Sequence, residues 1–435
     1  MTSYDFFVPA GWRMALPKGG IPGVNGGVIM PSTVAAHTLV RRDLDKSYPH
    51  LTRRLVDPQL YLATLNAASC RKACSNLASY GWFPLREEIP FDSAEQKQSE
   101  WKKGVLDRIE AIWTAALPTT SAEITILVDR CLQFQSGLNV EAFVLPAPLT
   151  SDPGGKLLAE IAWLEAGIAT AKRINPALPV LASIAINDSI LRADDATSSA
   201  VVDSFLDQLT ARGVSGAYIV PVMHQEDSYY YSHPGTMFSL FRMCSGLRAA
   251  GLSRIVVSFA GTAGLACLAA GADTWVSGWY RGQRRLRLQD FQAEEGRSVP
   301  TYYSHPFGGE FHLAADLDAA CKAGYFNRIA DSTPASAGLL NALRSGKTVS
   351  TVPEWQARPT NVSAAIEHFL RVAGRETTAL TGSSASQVQA SMARSLLKAY
   401  TLSGEIRTNV PGLVTRTSTL HQHGWHTAFD RLLQA

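Results

Sequence analysis

Residues 141–186, EAFVLPAPLTSDPGGKLLAEIAWLEAGIATAKRINPALPVLASIAI, decide the fold. The first run, Glu141–Thr150, is apolar, strand-like and ends in prolines. Lys156–Ile174 then carries apolar residues at helical spacing, and Pro179–Ile186 is a second strand-like run. Neither run alternates apolar with polar, which is how strands buried on both faces read. A strand, a helix and a strand in this order imply a right-handed crossover in a parallel sheet.

The same unit repeats downstream. Helix Ser198–Arg212 leads to strand Gly216–Val222, and helix Met237–Ala250 leads to strand Arg254–Ala260. A short helix over Thr262–Ala270 precedes the last strand, Asp273–Ser277. Upstream, Gly27–Ser32 and Leu55–Leu62 look like strands, and Asp5–Pro9 is a further candidate. ITILV within Thr120–Leu138 invites a strand. Yet Ile124, Leu127, Val128, Cys131 and Leu132 recur at helical spacing, Ser121 opens an acidic first turn, and Gly137 is a natural stop. The segment therefore reads as a helix, with Asp129 on its solvated face. Seven or eight parallel strands close a barrel. The expected architecture is an α/β protein, a (β/α)8 TIM-type barrel over residues 1–300.

After residue 280 the pattern changes. Arg281–Arg287 is basic, and Tyr302–Glu310 reads as a loop rich in polar aromatics. Helices are expected near Ala314–Ile329, Asn361–Arg375 and Ser386–Ser403, with a flexible joint at Thr381–Ser386. Residues 301–435 thus form a C-terminal, mainly helical region, a possible site for a protein partner.

Composition narrows the class. Of 435 residues, 46% are hydrophobic and 18% charged, enough for a large core and against wholesale disorder. A net charge of +3 does not announce a nucleic-acid or membrane binder. The opening MTSYDFFVPAGWRM lacks a basic stretch followed by an apolar one, and no uncharged apolar run reaches the roughly 18 residues of a membrane span. A cytoplasmic protein without membrane contact is expected. Cys70 and Cys74 lie one helical turn apart, and the other four cysteines are scattered. That spacing suits buried reduced thiols better than zinc, and the His421, His423, His426 cluster has no acidic or cysteine partner nearby. Neither a metal nor another cofactor is expected.

In a parallel barrel, side chains at the carboxyl ends of the strands converge on one site. Asp57 and Gln59 belong to the Leu55–Leu62 segment, and an Asp there can act as general base or hydrogen-bond a heterocycle. Asn187 and Asp188 follow the next strands, Asp188 as a second candidate acid/base, although Asn-Asp-Ser is also an ordinary capping string. His224 opens the polar-aromatic loop HQEDSYYY. Gly261 and Thr262 open a helix whose N–H groups could hold an anion. Trp279 and Tyr280 precede Arg281, Arg284, Arg285 and Arg287, where aromatic stacking beside basic side chains would suit a nucleic acid.

The order of segments across residues 25–285 resembles the tRNA-guanine transglycosylases and their DNA-modifying relatives, which exchange a guanine for a 7-deazaguanine. That family's early strand ends in an Asp-Ser-Gly-Gly-Phe string with an acid/base Asp. LVDPQLYL offers Asp57 there, without the glycine pair. EAFVLPAP keeps Ala142 and Phe143 of the family's base-binding strand but has Val144 in place of its Asp. IAINDS puts Asn187 where a Val-Gln-Gly strand would fall, and GAYIVPV takes the place of a Gly-Gly-Leu-Ala-Val-Gly strand. IVVSFAGTAGLACLAAGADTWVSGWYRGQRR is similar to the last two strands. The family's nucleophilic Asp would fall near Val276 or Ser277, and its zinc cluster is absent. The resemblance implies a barrel that binds a purine or 7-deazapurine, free or in a nucleic acid, through Asp57, Gln59, Phe143 and Asn187. By the same token it implies a pentosyltransferase, with the nucleophile changed. Two other expectations stand beside it: a lyase or oxidoreductase holding a phosphorylated small molecule at Gly261 and Thr262, and a non-catalytic barrel subunit of a complex.

Overall fold

The computed structural model describes residues 3–10, 20–40, 50–87, 98–151, 157–193, 195–223, 229–292, 299–410, 413 and 419–435. Nine strands make the main sheet: β1 (Asp5–Ala10), β2 (Val24–Ile29), β3 (Arg53–Val56), β4 (Phe143–Val144), β5 (Leu149–Thr150), β6 (Val180–Asn187), β7 (Gly216–Val222), β8 (Arg254–Ser258) and β9 (Thr274–Val276). Eight of them run in the order β3-β2-β1-β9-β8-β7-β6-β4, and β5 is a short second piece on β6. Every pairing is parallel. Because β1 sits between β2 and β9, the ends of the sheet curl toward each other into a nearly closed (β/α)8-type barrel. The expected fold class holds.

The seam lies between β3 and β4. One backbone hydrogen bond crosses it, from Glu141 N–H to the Arg54 carbonyl at 3.0 Å. Beyond that point the exposed edge of β4 is covered by a side chain. Gln135 Nε2 donates to the Val144 carbonyl at 2.7 Å, and the Val144 N–H donates to Gln135 Oε1 at 2.9 Å. Gln135 comes from the helix Ser121–Ser136 and is wholly buried. Its primary amide offers one donor and one acceptor in the spacing of a peptide group, so it stands in for a neighbouring strand.

The amino ends of the strands are tied by charge. Arg53 bonds to Asp5 at 2.6 Å and to Glu141 at 2.7 Å, and Arg254 also reaches Glu141. This network links β1, β3, β8 and Glu141, two residues before β4. It lies at the face that in such barrels serves stability.

Several boundaries differ from the sequence reading. Leu55–Leu62 is not one strand: β3 stops at Val56, and Leu60–Leu62 is a 3-10 turn. Pro58 offers no N–H to a ladder, and Gln59 adopts φ 52. Glu141–Thr150 splits into β4 and β5, both on β6. Asp129 is not simply solvated, because Gln133 and Arg173 both donate to it. Gly137 caps its helix in an ordinary right-handed conformation, and Asn139 takes the positive φ that turns the chain. Tyr302–Glu310 is not a plain loop: β10 (Thr301–Ser304) and β11 (Gly309–His312) form an antiparallel hairpin. The helix expected over Ala314–Ile329 is broken into three short pieces.

Residues 301–435 serve two purposes. Tyr302, Phe307, Phe311, Leu339, Trp355 and Ile406 make a small core of their own. The long helices instead complete the outer layer of the barrel. Val362–Leu380 packs on β1 and β2, Ala385–Asn409 on the short helix Gly264–Ala269, and His421–Gln434 on the helix Pro234–Ala249. The first of these contacts is backbone on backbone: a Cβ on Gly374 would stand 2.4 Å from the Pro22 carbonyl oxygen. Among the described residues, no helix is long and apolar enough to cross a membrane.

Candidate functional site at the carboxyl ends of the strands

Asp57 is the first residue past β3. Its N–H donates to the Ile29 carbonyl at 3.0 Å, so the backbone is still held to β2 while the side chain is released from the ladder. The carboxylate is completely buried. Oδ1 accepts the Gln59 N–H at 3.0 Å, and Oδ2 accepts the hydroxyls of Tyr61 at 2.6 Å and Tyr218 at 3.2 Å. Tyr218 arrives from β7, three positions along the wall from β3 when counted across the seam. Gln59 itself takes a left-handed backbone conformation, φ 52, where the chain leaves the strand for the 3-10 turn. Its side chain is clamped in turn, with Oε1 accepting the Ser32 N–H at 2.8 Å.

Burial pushes the Asp57 carboxyl up to about 6, against the pull of its three hydrogen bonds from Tyr61, Gln59 and Tyr218. Burial and the adjacent Asp57 push both tyrosines well above their ordinary range. They therefore remain donors at any physiological pH. A carboxyl that titrates near neutrality in an apolar site is suited to general acid/base work or to pairing with a heterocycle.

The other expected residues fall into separate settings. Asn187 ends β6 and caps the next turn, its Oδ1 accepting the Ser189 N–H at 3.0 Å. Asp188 is fully buried and paired with Arg192 at 2.5 Å. His233 lies close enough to this pair to feel both: burial and then Arg192 lower it, while Asp188 acts in the opposite sense. Phe143 is a wholly buried core residue of β4. His224, with Gln225, Glu226 and Asp227, lies outside the described residues.

Gly261 does not offer its N–H to an anion. It donates to the Arg284 carbonyl at 2.7 Å, and its own carbonyl accepts Trp275 Nε1 at 3.0 Å. The following helix, Gly264–Ala269, is only six residues long. Thr262 is placed differently. Its buried hydroxyl has no hydrogen-bond partner among the described residues, and it lines a small cavity with Tyr303, His305, Met392, Leu396 and Trp425.

The basic segment is largely engaged within the fold. Trp279 is buried and donates to the Pro9 carbonyl at 2.7 Å, so its indole is an anchor for β1. Arg284 is buried, donates to Glu310 at 2.6 Å and lies over the Phe369 ring at 3.4 Å. Arg281 stacks on Tyr229 at 3.9 Å and pairs with the same Glu310 at 3.2 Å. Burial alone would raise Glu310, but Arg284 and Arg281, with Thr301, hold it down at about 2. Arg285 and Arg287 share Asp290. Four cations are thus matched by two carboxylates within the fold.

The three C-terminal histidines also diverge. His421 is buried, stacks on Tyr230 at 3.9 Å and bonds the Gly308 carbonyl, whereas His423 and His426 lie against Tyr400. Among the described residues, no group of three or more His, Cys, Asp or Glu is placed to hold a metal ion.

Sequence reasoning missed Tyr61, Tyr218 and Glu310. Tyr218 carried a signal, as the one hydroxyl in the apolar run GAYIVPV. Tyr61 stands four residues after Asp57, but the strand reading of LVDPQLYL hid that spacing. Glu310 carried none, since its partners lie 26 and 29 positions upstream at Arg284 and Arg281.

No protein-family model matches the chain, and no curated protein matches it.

Proposed function

We propose that this protein binds a purine or 7-deazapurine base at the carboxyl ends of its barrel strands and acts on it as a base-exchanging glycosyltransferase in nucleotide modification. Asp57 is the acid/base group. The observation that supports this reading is a buried, protonatable carboxyl just past β3, held by two tyrosine hydroxyls and a left-handed Gln59. The position matches the acid/base Asp of the resembling family. Near the position of that family's nucleophile stand Val276 and Ser277, and the buried Ser277 hydroxyl has no hydrogen-bond partner among the described residues. The inward-facing arginines weaken the case for a large nucleic-acid footprint, so the free base or a short segment is the favoured ligand.

One observation favours a second reading, a non-catalytic subunit. Both Asp57 oxygens are already occupied, and Trp279 and Arg284 serve internal contacts. Calorimetric titration with guanine and 7-deazaguanine separates the two. Saturable binding that weakens about tenfold or more in Asp57→Asn, with the variant's fold intact by circular dichroism, supports the first. Absence of binding to either base in the folded wild type rejects it and leaves the subunit reading, to be pursued by light scattering of the purified complex.

A further inference from the structure

The hairpin of β10 and β11 is tied to the loops that follow β7 and β9. The Glu310 N–H donates to the Tyr230 hydroxyl at 3.0 Å, and the Glu310 carboxylate takes Arg281 and Arg284. Two histidines on separate helices hold the same hairpin. His368 of the helix Val362–Leu380 bonds through Nε2 to the Tyr303 carbonyl at 2.7 Å, and His421 of the helix His421–Gln434 bonds through Nε2 to the Gly308 carbonyl at 2.9 Å. Both rings are wholly buried, His368 against Tyr302 at 4.8 Å and His421 against Tyr230 at 3.9 Å.

A carbonyl only accepts, so each Nε2 must carry the hydrogen. In neutral His368 this leaves Nδ1 to accept, and the Thr333 hydroxyl stands 3.0 Å from it. A proton added there would displace that donor and put a charge into a buried site. The charged groups about His368 are Asp331, Arg375 and Arg284, and those about His421 are Arg281 and Glu310. Asp331 is already engaged by Arg375 at 2.8 Å, and Glu310 by its two arginines. Burial, against the pull of the carbonyl bonds, lowers His368 to about 4 and His421 to about 3.

We infer that this hairpin is an acid-released strap, held on the β7 and β9 loops while both imidazoles are neutral and lifted from them when the imidazoles take up protons. A freed imidazole binds its proton near 6.5, above either clamped ring, so the clamp is complete above about pH 6.5 and weakens as the pH falls. Asp57 in the barrel acts in the opposite sense, because it binds its proton more tightly folded than unfolded. The strap therefore opens before the barrel. A third tie, from His305 Nε2 to Glu376 at 3.3 Å, is strengthened by protonation and opposes release.

The test is hydrogen–deuterium exchange of the full chain at pH 7 and pH 5, corrected for the intrinsic exchange rate. Freeing both histidines together should raise opening of the hairpin amides on the order of several hundredfold between these values, while β7 amides keep their protection. His421→Gln, which keeps a neutral donor, should cut the response to about twentyfold, and His368→Gln with His421→Gln should remove it. Circular dichroism checks that each variant is folded. Hairpin amides of the wild type that open equally at both values overturn the inference. So does a loss of protection shared by hairpin and β7, or a wild-type response in the folded double variant. The wild-type comparison decides even where a variant does not fold, and no outcome depends on the role proposed for Asp57 in base exchange.

Discussion

Arg284, from the loop after β9, donates at 2.6 Å to Glu310 in the second strand of the hairpin, and both side chains are almost wholly buried. The pair joins the barrel to the C-terminal region, with Phe369 of the helix Val362–Leu380 closing over the guanidinium at 3.4 Å. Removing one partner leaves the other as an uncompensated buried charge. Arg284→Ala should therefore cost about 3–5 kcal/mol, and the double variant with Glu310→Ala less than the sum of the singles. A urea-denaturation cycle measures both.

The same carboxylate sets an acid limit. Glu310 is held at about 2, below the ordinary 4.5, so the unfolded chain takes up the proton first. Its contribution is complete above about pH 4.5 and is lost as the pH falls toward 2. Glu310→Gln should flatten the melting-temperature profile across that window. A profile as steep as wild type would place the acid limit elsewhere.

Asp57 has the opposite sign. Its folded value of about 6 lies above 3.8, so the native state holds the proton more tightly than the unfolded chain. The stability it contributes is present below about pH 4 and is lost as the pH rises through 6, on the order of 3 kcal/mol in all. Asp57→Asn cannot ionise. Its melting temperature relative to wild type should therefore rise between about pH 4 and pH 6 and level off above, which a pH series of thermal melts reads directly.

Gln135 holds the seam. Gln135→Ala strands the Val144 N–H and C=O, and each buried group left unmade costs about 1–3 kcal/mol. The Val144 amide should exchange faster with deuterium in this variant than in wild type, while amides of β7 keep their relative protection.

Gly374→Ala places a methyl carbon 2.4 Å from the Pro22 carbonyl oxygen, a backbone atom that cannot swing aside. The helix Val362–Leu380 must lift from β1 and β2, at about 1–3 kcal/mol or more. Limited proteolysis should then cut the C-terminal region sooner than in wild type.

The barrel was legible in the sequence from residue 140 to 277 because strands buried on both faces and amphipathic helices leave periodic, local patterns. Asp57 stood out for the same reason, as a carboxylate in an apolar run followed by proline. Asn187 and Asp188 were legible as a capping string, and a cap is what Asn187 became. The internal ion pairs of the basic run Arg281–Arg287 were not legible, since charge composition says nothing about direction.

What the sequence alone determined, then, is the alternation that makes a parallel barrel and the residues at its strand ends. The tertiary structure decided which of them meet. Tyr218 reaches Asp57 over 161 positions, Glu310 collects Arg281 and Arg284, and Gln135 closes an edge that no strand covers among the described residues. A hydrogen bond or ion pair depends on a few ångströms and on removal from water, neither of which a local pattern encodes. Periodicity reports which face of an element is apolar, while the partner on that face is chosen only when distant elements pack.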